Sequence, residues 1–308
     1  MFSAHHFFKK TPQIVFVLLI VLVVAGVYRG VDNFFLYSTT QSVIELPETA
    51  LKVKTVQAQV AGTSSAAVKQ ASPSAAITVQ HWGWSVSVPI LIYHYIGLNP
   101  NPSDKMRDNL SVHPDIFDDQ MNVLKINGYT PISLDTFYAG LKGTASLPPK
   151  PIVLTFDDGY IDFYANAYPI LKKYNFQATS FIPPALMDQG YYLHWDQIKE
   201  MEASGLISFQ AHSINHVNLV SIPQDQVLHQ LVASKKTLEE KLGKPVNFMA
   251  YPYGVSNAYT WEMAKQAGYM AALGTWYGTI QSEGTLFNLP RVKVAGNWTK
   301  EIFGQHFP

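Results

Sequence analysis

The stretch Pro151-Ile-Val-Leu-Thr-Phe-Asp-Asp-Gly159 joins a mostly apolar run to two carboxylates and a glycine. A continuous apolar run of this length is typical of a strand in a parallel sheet, which is buried on both faces. Neighbouring side chains on extended backbone point in different directions, so Asp157 and Asp158 can face different groups. One could bind a metal ion while the other faces a water molecule, although Asp-Gly is also an ordinary turn dipeptide.

Similar apolar runs alternate with helical patterns on both sides of this stretch. Strand character marks 89–93, 151–156, 178–182, 207–211 and 247–251, and helical spacing marks 114–127, 164–174, 195–203, 225–242 and 259–267. Strands that alternate with helices predict an α/β sheet or barrel with mostly parallel strands. In such folds the functional residues gather at the carboxyl ends of the strands.

The composition excludes several classes of protein. The chain has 308 residues, with 22 lysines and arginines against 22 aspartates and glutamates. This balance predicts no nucleic-acid partner, because such proteins carry a basic surface. A hydrophobic fraction of 47% excludes disorder of the whole chain. With no cysteine, the chain has neither disulfides nor thiolate chemistry.

The N-terminal region has the pattern of a membrane anchor. Residues 11–28 carry no charged side chain, and 14–24 are apolar throughout. About 20 residues cross a bilayer core, so we predict a single-pass transmembrane signal anchor at 11–30. Lysines 9 and 10 predict that residues 1–10 are cytoplasmic and that the rest of the chain lies outside the cell membrane. The alternative is a cleaved signal peptide, but no convincing small-x-small site follows the apolar run.

The anchor is followed by a segment with little to pack. Residues 57–80 are mostly Ala, Ser, Val, Gln and Thr, and no helical or strand period persists. We therefore expect a linker over 31–87 and a folded domain over 88–308.

Two more motifs follow predicted strands. In His212-Ser-Ile-Asn-His216 the two imidazoles can face one ion if the segment is a helical turn. Two imidazoles and one carboxylate suit zinc, cobalt or nickel and leave a position open for water. Ala250-Tyr-Pro-Tyr-Gly254 could line a groove for a sugar, or could be a plain turn with aromatic packing. The remaining central histidines, at 81, 113, 194 and 229, are interpreted as ordinary polar or capping residues.

Taken together, Asp-Asp-Gly, His-x-x-x-His and Tyr-Pro-Tyr-Gly, each after a strand, resemble the polysaccharide deacetylase family (the NodB-like domain, carbohydrate esterase family 4). The resemblance covers about residues 89–294 and is nearest to the poly-N-acetylglucosamine deacetylases. Further matching pieces are Leu91-Ile-Tyr-His-Tyr-Ile-Gly97, Tyr192-Leu-His-Trp-Asp196 and Leu289-Pro-Arg-Val292.

The resemblance implies a distorted (β/α) barrel of the NodB-like type and a role for each motif. Asp158, His212 and His216 match the metal ligands. Asp157 matches the general base, His94 the general acid, and the backbone N–H of Tyr253 an oxyanion donor. Many relatives carry an arginine at the position of Ala250, and we hypothesise that Arg291 supplies that charge to Asp157.

The function implied is a metal-dependent hydrolase that removes N-acetyl groups from N-acetylglucosamine polysaccharide at the cell envelope, with zinc, cobalt or nickel as the ion. Peptidoglycan or chitin oligomers and small amides are alternative substrates for the same site. A non-catalytic carbohydrate-binding relative is a further alternative, but such a module would not need both aspartates and both histidines.

Overall fold

The computed structural model describes residues 84–308; the predicted cytoplasmic segment and anchor at 1–30, and most of the predicted linker, lie outside them. Within the described part, no helix is both long and apolar enough to cross a bilayer. The strands are β1 Ser85–Ser87, β2 Ile90–Tyr93, β3 Tyr95–Ile96, β4 Ser111–Val112, β5 Thr130–Pro131, β6 Pro151–Asp157, β7 Ala178–Ile182, β8 Ile207–Ala211, β9 Phe248–Ala250, β10 Ala271–Leu273, β11 Ile280–Ser282 and β12 Val292–Lys293. The α-helices are α1 Lys105–Leu110, α2 Pro114–Ile126, α3 Leu134–Leu141, α4 Tyr168–Tyr174, α5 Trp195–Ala203, α6 Gln224–Leu242, α7 Ala258–Gln266 and α8 Lys300–His306.

The central sheet is parallel, as the alternation of strands and helices predicted. Its order is β10-β9-β8-β7-β6-β2-β12, and β5 pairs with the first two residues of β6. The sheet curls into a half-barrel, and an isolated parallel bridge between Leu273 and Leu289 links β10 to the segment before β12. The expected barrel is therefore present as a curled, open sheet whose edge strands approach each other. β1 lies just before the predicted domain start at residue 88 and pairs with β11.

Apolar side chains cover both faces of the sheet. One large cluster lies between the sheet and the surrounding helices. A second cluster joins Val153 and Phe181 of the sheet to Leu134, Phe137 and Leu141 of α3, which packs against the inner face. Alternation along β6 places Thr155 and Asp157 on the same face as Val153. The inner face therefore leads from an apolar core to a carboxylate at the end of β6.

Local signals explain where several helices begin and end. Pro114 occupies the first turn of α2, and the preceding His113 accepts a hydrogen bond from the amide of Asp115. Gly243 ends α6 in a left-handed conformation, with φ of 69°.

The predicted helix over 164–174 is a π-helical turn, Phe163–Ala167, followed by α4. Helices α1, α3 and α8 were not predicted, because each has no more than eight residues and too few turns to show a period.

Candidate active site

The ends of three strands of the central sheet bring the motifs together, as the fold class predicted. His94 directly follows β2, and Asp157 ends β6 with Asp158 next to it. His212 follows β8. In the register of the sheet Tyr93 lies beside Phe156, so that the residues after these two strands face the same edge.

Asp158, His212 and His216 form a compact cluster. The Asp158 Oδ1 atom lies 3.2 Å from the Nε2 of His212 and 3.0 Å from the Nε2 of His216. One ligand atom from each of the three residues lies within 4.8 Å of the other two. Tetrahedral ligands about 2.1 Å from a zinc ion are roughly 3.4 Å apart, so the donor set and its spacing fit a divalent metal.

Hydrogen bonding orients the cluster for this use. His212 Nδ1 lies 2.8 Å from the carbonyl oxygen of Ala250, which fixes that nitrogen as a donor and leaves Nε2 free to face Asp158. Burial disfavours a charged imidazole, but the carboxylates of Asp158 and Asp157 outweigh burial and raise the pKa of His212. The negative charge that favours a proton on His212 favours a metal cation at the same place.

The backbone around this cluster is strained. Asp158, Ser213, His216 and Tyr253 have φ of 74°, 57°, 60° and 61°, in the left-handed region that non-glycine residues rarely adopt. The His212–His216 segment is therefore a turn with two left-handed residues, and the helical turn considered from the i, i+4 spacing is not formed. Strain of this kind is concentrated at functional sites, where the surrounding structure holds a side chain in an unusual direction.

Arg291 lies against Asp157 in a buried ion pair. Nη1 donates to Asp157 Oδ1 and Nη2 donates to Oδ2, both at 2.8 Å. Arg291 is 0% exposed, and its remaining donors reach the carbonyl of Gly274 at 2.7 Å and the hydroxyl of Thr155 at 3.2 Å. The two parallel hydrogen bonds fix the plane of the carboxylate while each oxygen keeps a second lone pair for a further partner.

This pairing decides the charge of Asp157. Burial by itself would raise the pKa of the carboxyl group, but the positive charge of Arg291, assisted by His212 and His94, holds the pKa of Asp157 below its ordinary value. Asp157 is therefore a carboxylate at neutral pH and is able to accept a proton.

His94 lies among these charges on the loop between β2 and β3. Burial lowers the pKa of its imidazole, and the nearby carboxylates of Asp158 and Asp157 oppose that effect. With a lowered pKa the ring is mostly neutral at neutral pH, and it can act as a general acid only in its protonated form.

The Tyr-Pro-Tyr-Gly motif supplies one exposed ring. Tyr253 is 63% exposed, and its ring lies 4.8 Å from the imidazole of His216, measured between ring centroids. Tyr251 is buried, and its hydroxyl donates to the carbonyl of Phe287. Of the two tyrosines considered for a sugar-binding wall, only Tyr253 therefore faces solvent.

One feature of the site was missed from the sequence. The rings of Tyr95, Tyr160 and Tyr192 stack beside the cluster, and the guanidinium of Arg107 lies over Tyr95. The sequence offered one clue to these rings, which is their position next to the motifs: Tyr95 directly follows His94, and Tyr160 directly follows Asp-Asp-Gly.

Comparisons with known proteins show the family of the chain. The family model described as Polysaccharide deacetylase matches residues 144–272. A putative polysaccharide deacetylase of Bacillus subtilis is 32% identical over 221 residues, which are 71% of this chain and 75% of that protein. A poly-beta-1,6-N-acetyl-D-glucosamine N-deacetylase of Staphylococcus aureus is 28% identical, over 63% of this chain and 71% of that protein. Among solved structures, a Streptococcus pyogenes deacetylase in complex with acetate is 35% identical, with a TM-score of 0.67, over 72% of this chain and 99% of that one.

The curled parallel α/β sheet, with carboxylates and imidazoles at its carboxyl edge, matches the fold of the NodB-like deacetylases. The chain belongs to the polysaccharide deacetylase family, and it is a hydrolase that acts on carbon–nitrogen bonds other than peptide bonds.

Proposed function

We propose that this protein is a metal-dependent N-deacetylase of N-acetylglucosamine polysaccharide, held at the outer side of the cell membrane by residues 11–30. The observation that carries the proposal is the paired arrangement at the end of β6. Asp158 lies within 3.2 Å of two imidazole nitrogens, while the adjacent Asp157 forms a buried ion pair with Arg291. These neighbouring carboxylates have different partners and hence different tasks.

Asp158, His212 and His216 would hold the ion. When bound, a divalent ion supplies Lewis-acid polarisation of the amide carbonyl and lowers the pKa of a bound water towards about 7. Zinc suits this donor set, and cobalt and nickel are compatible with it.

The residues of the chain perform the remaining steps. Asp157 accepts a proton from the water that attacks the acetamide carbonyl carbon. The backbone N–H of Tyr253 donates to the carbonyl oxygen as negative charge develops on it. His94 donates a proton to the amide nitrogen, because an amine leaves poorly unless it is protonated. The carbon–nitrogen bond then breaks to give acetate and a free amino sugar.

The relatives support the choice of substrate. A protein that matches 63% of this chain is named a poly-beta-1,6-N-acetyl-D-glucosamine N-deacetylase. The exposed ring of Tyr253 beside His216 offers an apolar face of the kind on which sugar rings stack. Peptidoglycan and chitin oligomers carry the same acetamide group and are the substrates to compare.

The test is acetate release by the full-length chain in detergent. The substrates are poly-N-acetylglucosamine, chitin oligomers and peptidoglycan, assayed after chelation and after separate addition of Zn²⁺, Co²⁺ or Ni²⁺. Asp157→Asn is the matched variant, because it keeps the size of the side chain and removes the proton acceptor.

We expect metal to restore release in the wild type and not in Asp157→Asn, with poly-N-acetylglucosamine hydrolysed fastest. Release that is unaffected by chelation would refute the metal dependence. Stoichiometric metal binding without release from any polymer would favour a different amide substrate or a carbohydrate-binding role.

A further inference from the structure

A stack of four side chains borders the candidate site. The ring centroids of Tyr95 and Tyr160 are 4.0 Å apart, with 18° between their planes. Tyr192 lies on the far side of Tyr160 at 5.5 Å and 22°. The guanidinium carbon of Arg107 lies 3.9 Å from the centroid of Tyr95 and completes the stack at the opposite end.

The two central rings belong to the two loops that carry the chemistry. Tyr95 is adjacent to His94, the proposed acid, and Tyr160 is two residues after Asp158, a proposed metal ligand. Each ring is joined to its own main chain through Cβ, so a fixed contact between Tyr95 and Tyr160 limits how far these two segments can separate. Farther along, Asn166 Nδ2 donates to the carbonyl of Ile96 at 2.7 Å, which anchors the outer part of the β3 segment. The pairing of Tyr93 with Phe156 fixes the two strands before the site, and the ring contact is the nearer attachment after it.

Arg107 connects this stack to α1. The residue after α1 begins β4, which pairs with β3 so that Ser111 lies beside Tyr95. This pairing holds Arg107 above the Tyr95 ring. The carboxylate of Asp162, which lies close to Gly97, attracts Arg107 electrostatically. Arginine stacks on an aromatic face through its planar guanidinium, a geometry that lysine cannot reproduce.

The inner rings are not available as a sugar platform. Both faces of Tyr95 are covered, by Arg107 and Tyr160, and both faces of Tyr160 are covered, by Tyr95 and Tyr192. A sugar needs an open ring face, as Tyr253 offers. The stack therefore affects catalysis through the main chain that it holds in place, and not through contact with the sugar.

We propose that Tyr95 and Tyr160 are positioning residues for deacetylation: their stacked rings set the separation between His94 and Asp158, and Arg107 holds Tyr95 in the stack. This inference rests on the proposed function for the roles of His94 and Asp158. A displacement of about 1 Å between reacting groups lowers turnover by about 100-fold, so a loosened stack has a measurable effect on kcat.

The test compares Tyr95→Leu and Tyr160→Leu with Tyr95→Phe and Tyr160→Phe in the full-length, metal-loaded protein. The Leu variants remove the ring and the Phe variants keep it. We expect kcat to fall about 100-fold in the Leu variants, with KM changed less than about twofold, and the Phe variants to stay within about threefold of the wild type. Tyr191→Leu is the matched control, because Tyr191 is 79% exposed and lies outside the stack. It should leave kcat unchanged.

A second measurement does not depend on activity. Crystal structures of the same variants should show a shift of about 1 Å between the His94 ring and the Asp158 carboxylate in the Leu variants, and no shift in the Phe variants. If the Leu variants do not fold, Arg107→Met, which loosens the stack from its outer end, should lower kcat about tenfold without changing KM.

A rise in KM at constant kcat would identify a substrate platform and overturn the inference. A kcat and a His94–Asp158 separation that both match the wild type would also overturn it. If the wild type itself releases no acetate from any polymer, the proposed function fails, and the crystallographic separation still decides whether the stack positions these two groups.

Discussion

Removal of Arg291 tests the central electrostatic feature of the site. Arg291 and Asp157 are 0% and 3% exposed, and the arginine makes four hydrogen bonds, two of them to that carboxylate. Arg291→Met leaves a buried carboxylate without its counter-charge, and breaking a buried pair in this way lowers the free energy of unfolding by about 3–5 kcal/mol. Arg291→Lys keeps the charge and loses the parallel hydrogen bonds, so a smaller loss of about 1–2 kcal/mol is expected.

The size of this effect depends on pH in a defined direction. In the wild type the pKa of Asp157 lies below its ordinary value, so the ionised carboxylate stabilises the fold above about pH 4, and this contribution is lost as pH falls through the lowered pKa. Without Arg291, burial raises the pKa of Asp157 instead, and the mutant recovers stability when the carboxyl group takes up a proton. The destabilisation by Arg291→Met should therefore be larger at pH 8 than at pH 4.

The assay is urea unfolding of the full-length chain, followed by tryptophan fluorescence in the presence of a chelator so that metal affinity does not contribute. The double variant Arg291→Met with Asp157→Leu removes both charges and nearly conserves volume, and it should recover most of the lost stability. An Arg291→Met variant with the wild-type urea midpoint at pH 8, or with the same loss at both pH values, would refute the reasoning.

Three further predictions concern single positions. His94→Gln should lower kcat by about 10²–10⁴-fold and leave metal affinity unchanged by titration calorimetry; unchanged turnover would exclude His94 as the acid. Burial raises the pKa of Asp162 to about 6, so its ionised form destabilises the fold above that pH, and Asp162→Asn should raise the free energy of unfolding by up to about 3 kcal/mol at pH 8. That gain should disappear below pH 4, and an equal gain at both pH values would contradict this explanation. Gly254 has φ of 68°, and a Cβ there would collide with Thr275, so Gly254→Ala should lower the free energy of unfolding by about 1–3 kcal/mol. Gly284→Ala is the control and should not lower it, because a Cβ on Gly284 meets nothing closer than 3.9 Å. Equal urea midpoints for the two variants would show the strain argument to be wrong.

The sequence by itself determined the architecture of the described part and the set of residues at its edge. Periodicity along the chain depends only on local spacing, and it predicted the parallel strands β6, β7 and β8 to within one residue. The Asp-Asp-Gly and His-x-x-x-His motifs follow such strands, so topology alone brings Asp158 and the two histidines to one edge. The hypothesis that Arg291 lies against Asp157 came from a missing charge at Ala250, and the structure places the guanidinium there.

Other features could be decided only by the tertiary structure, because they join segments far apart in the chain. The i, i+4 spacing of the histidines suggested a helical turn, but packing around Asp158 holds Ser213 and His216 in left-handed conformations that no spacing rule encodes. The exposure of Tyr253 and burial of Tyr251 depend on how the loop packs against Phe287. The stack of Arg107, Tyr95, Tyr160 and Tyr192 unites segments up to 97 residues apart, and only the folded chain determines which ring faces meet.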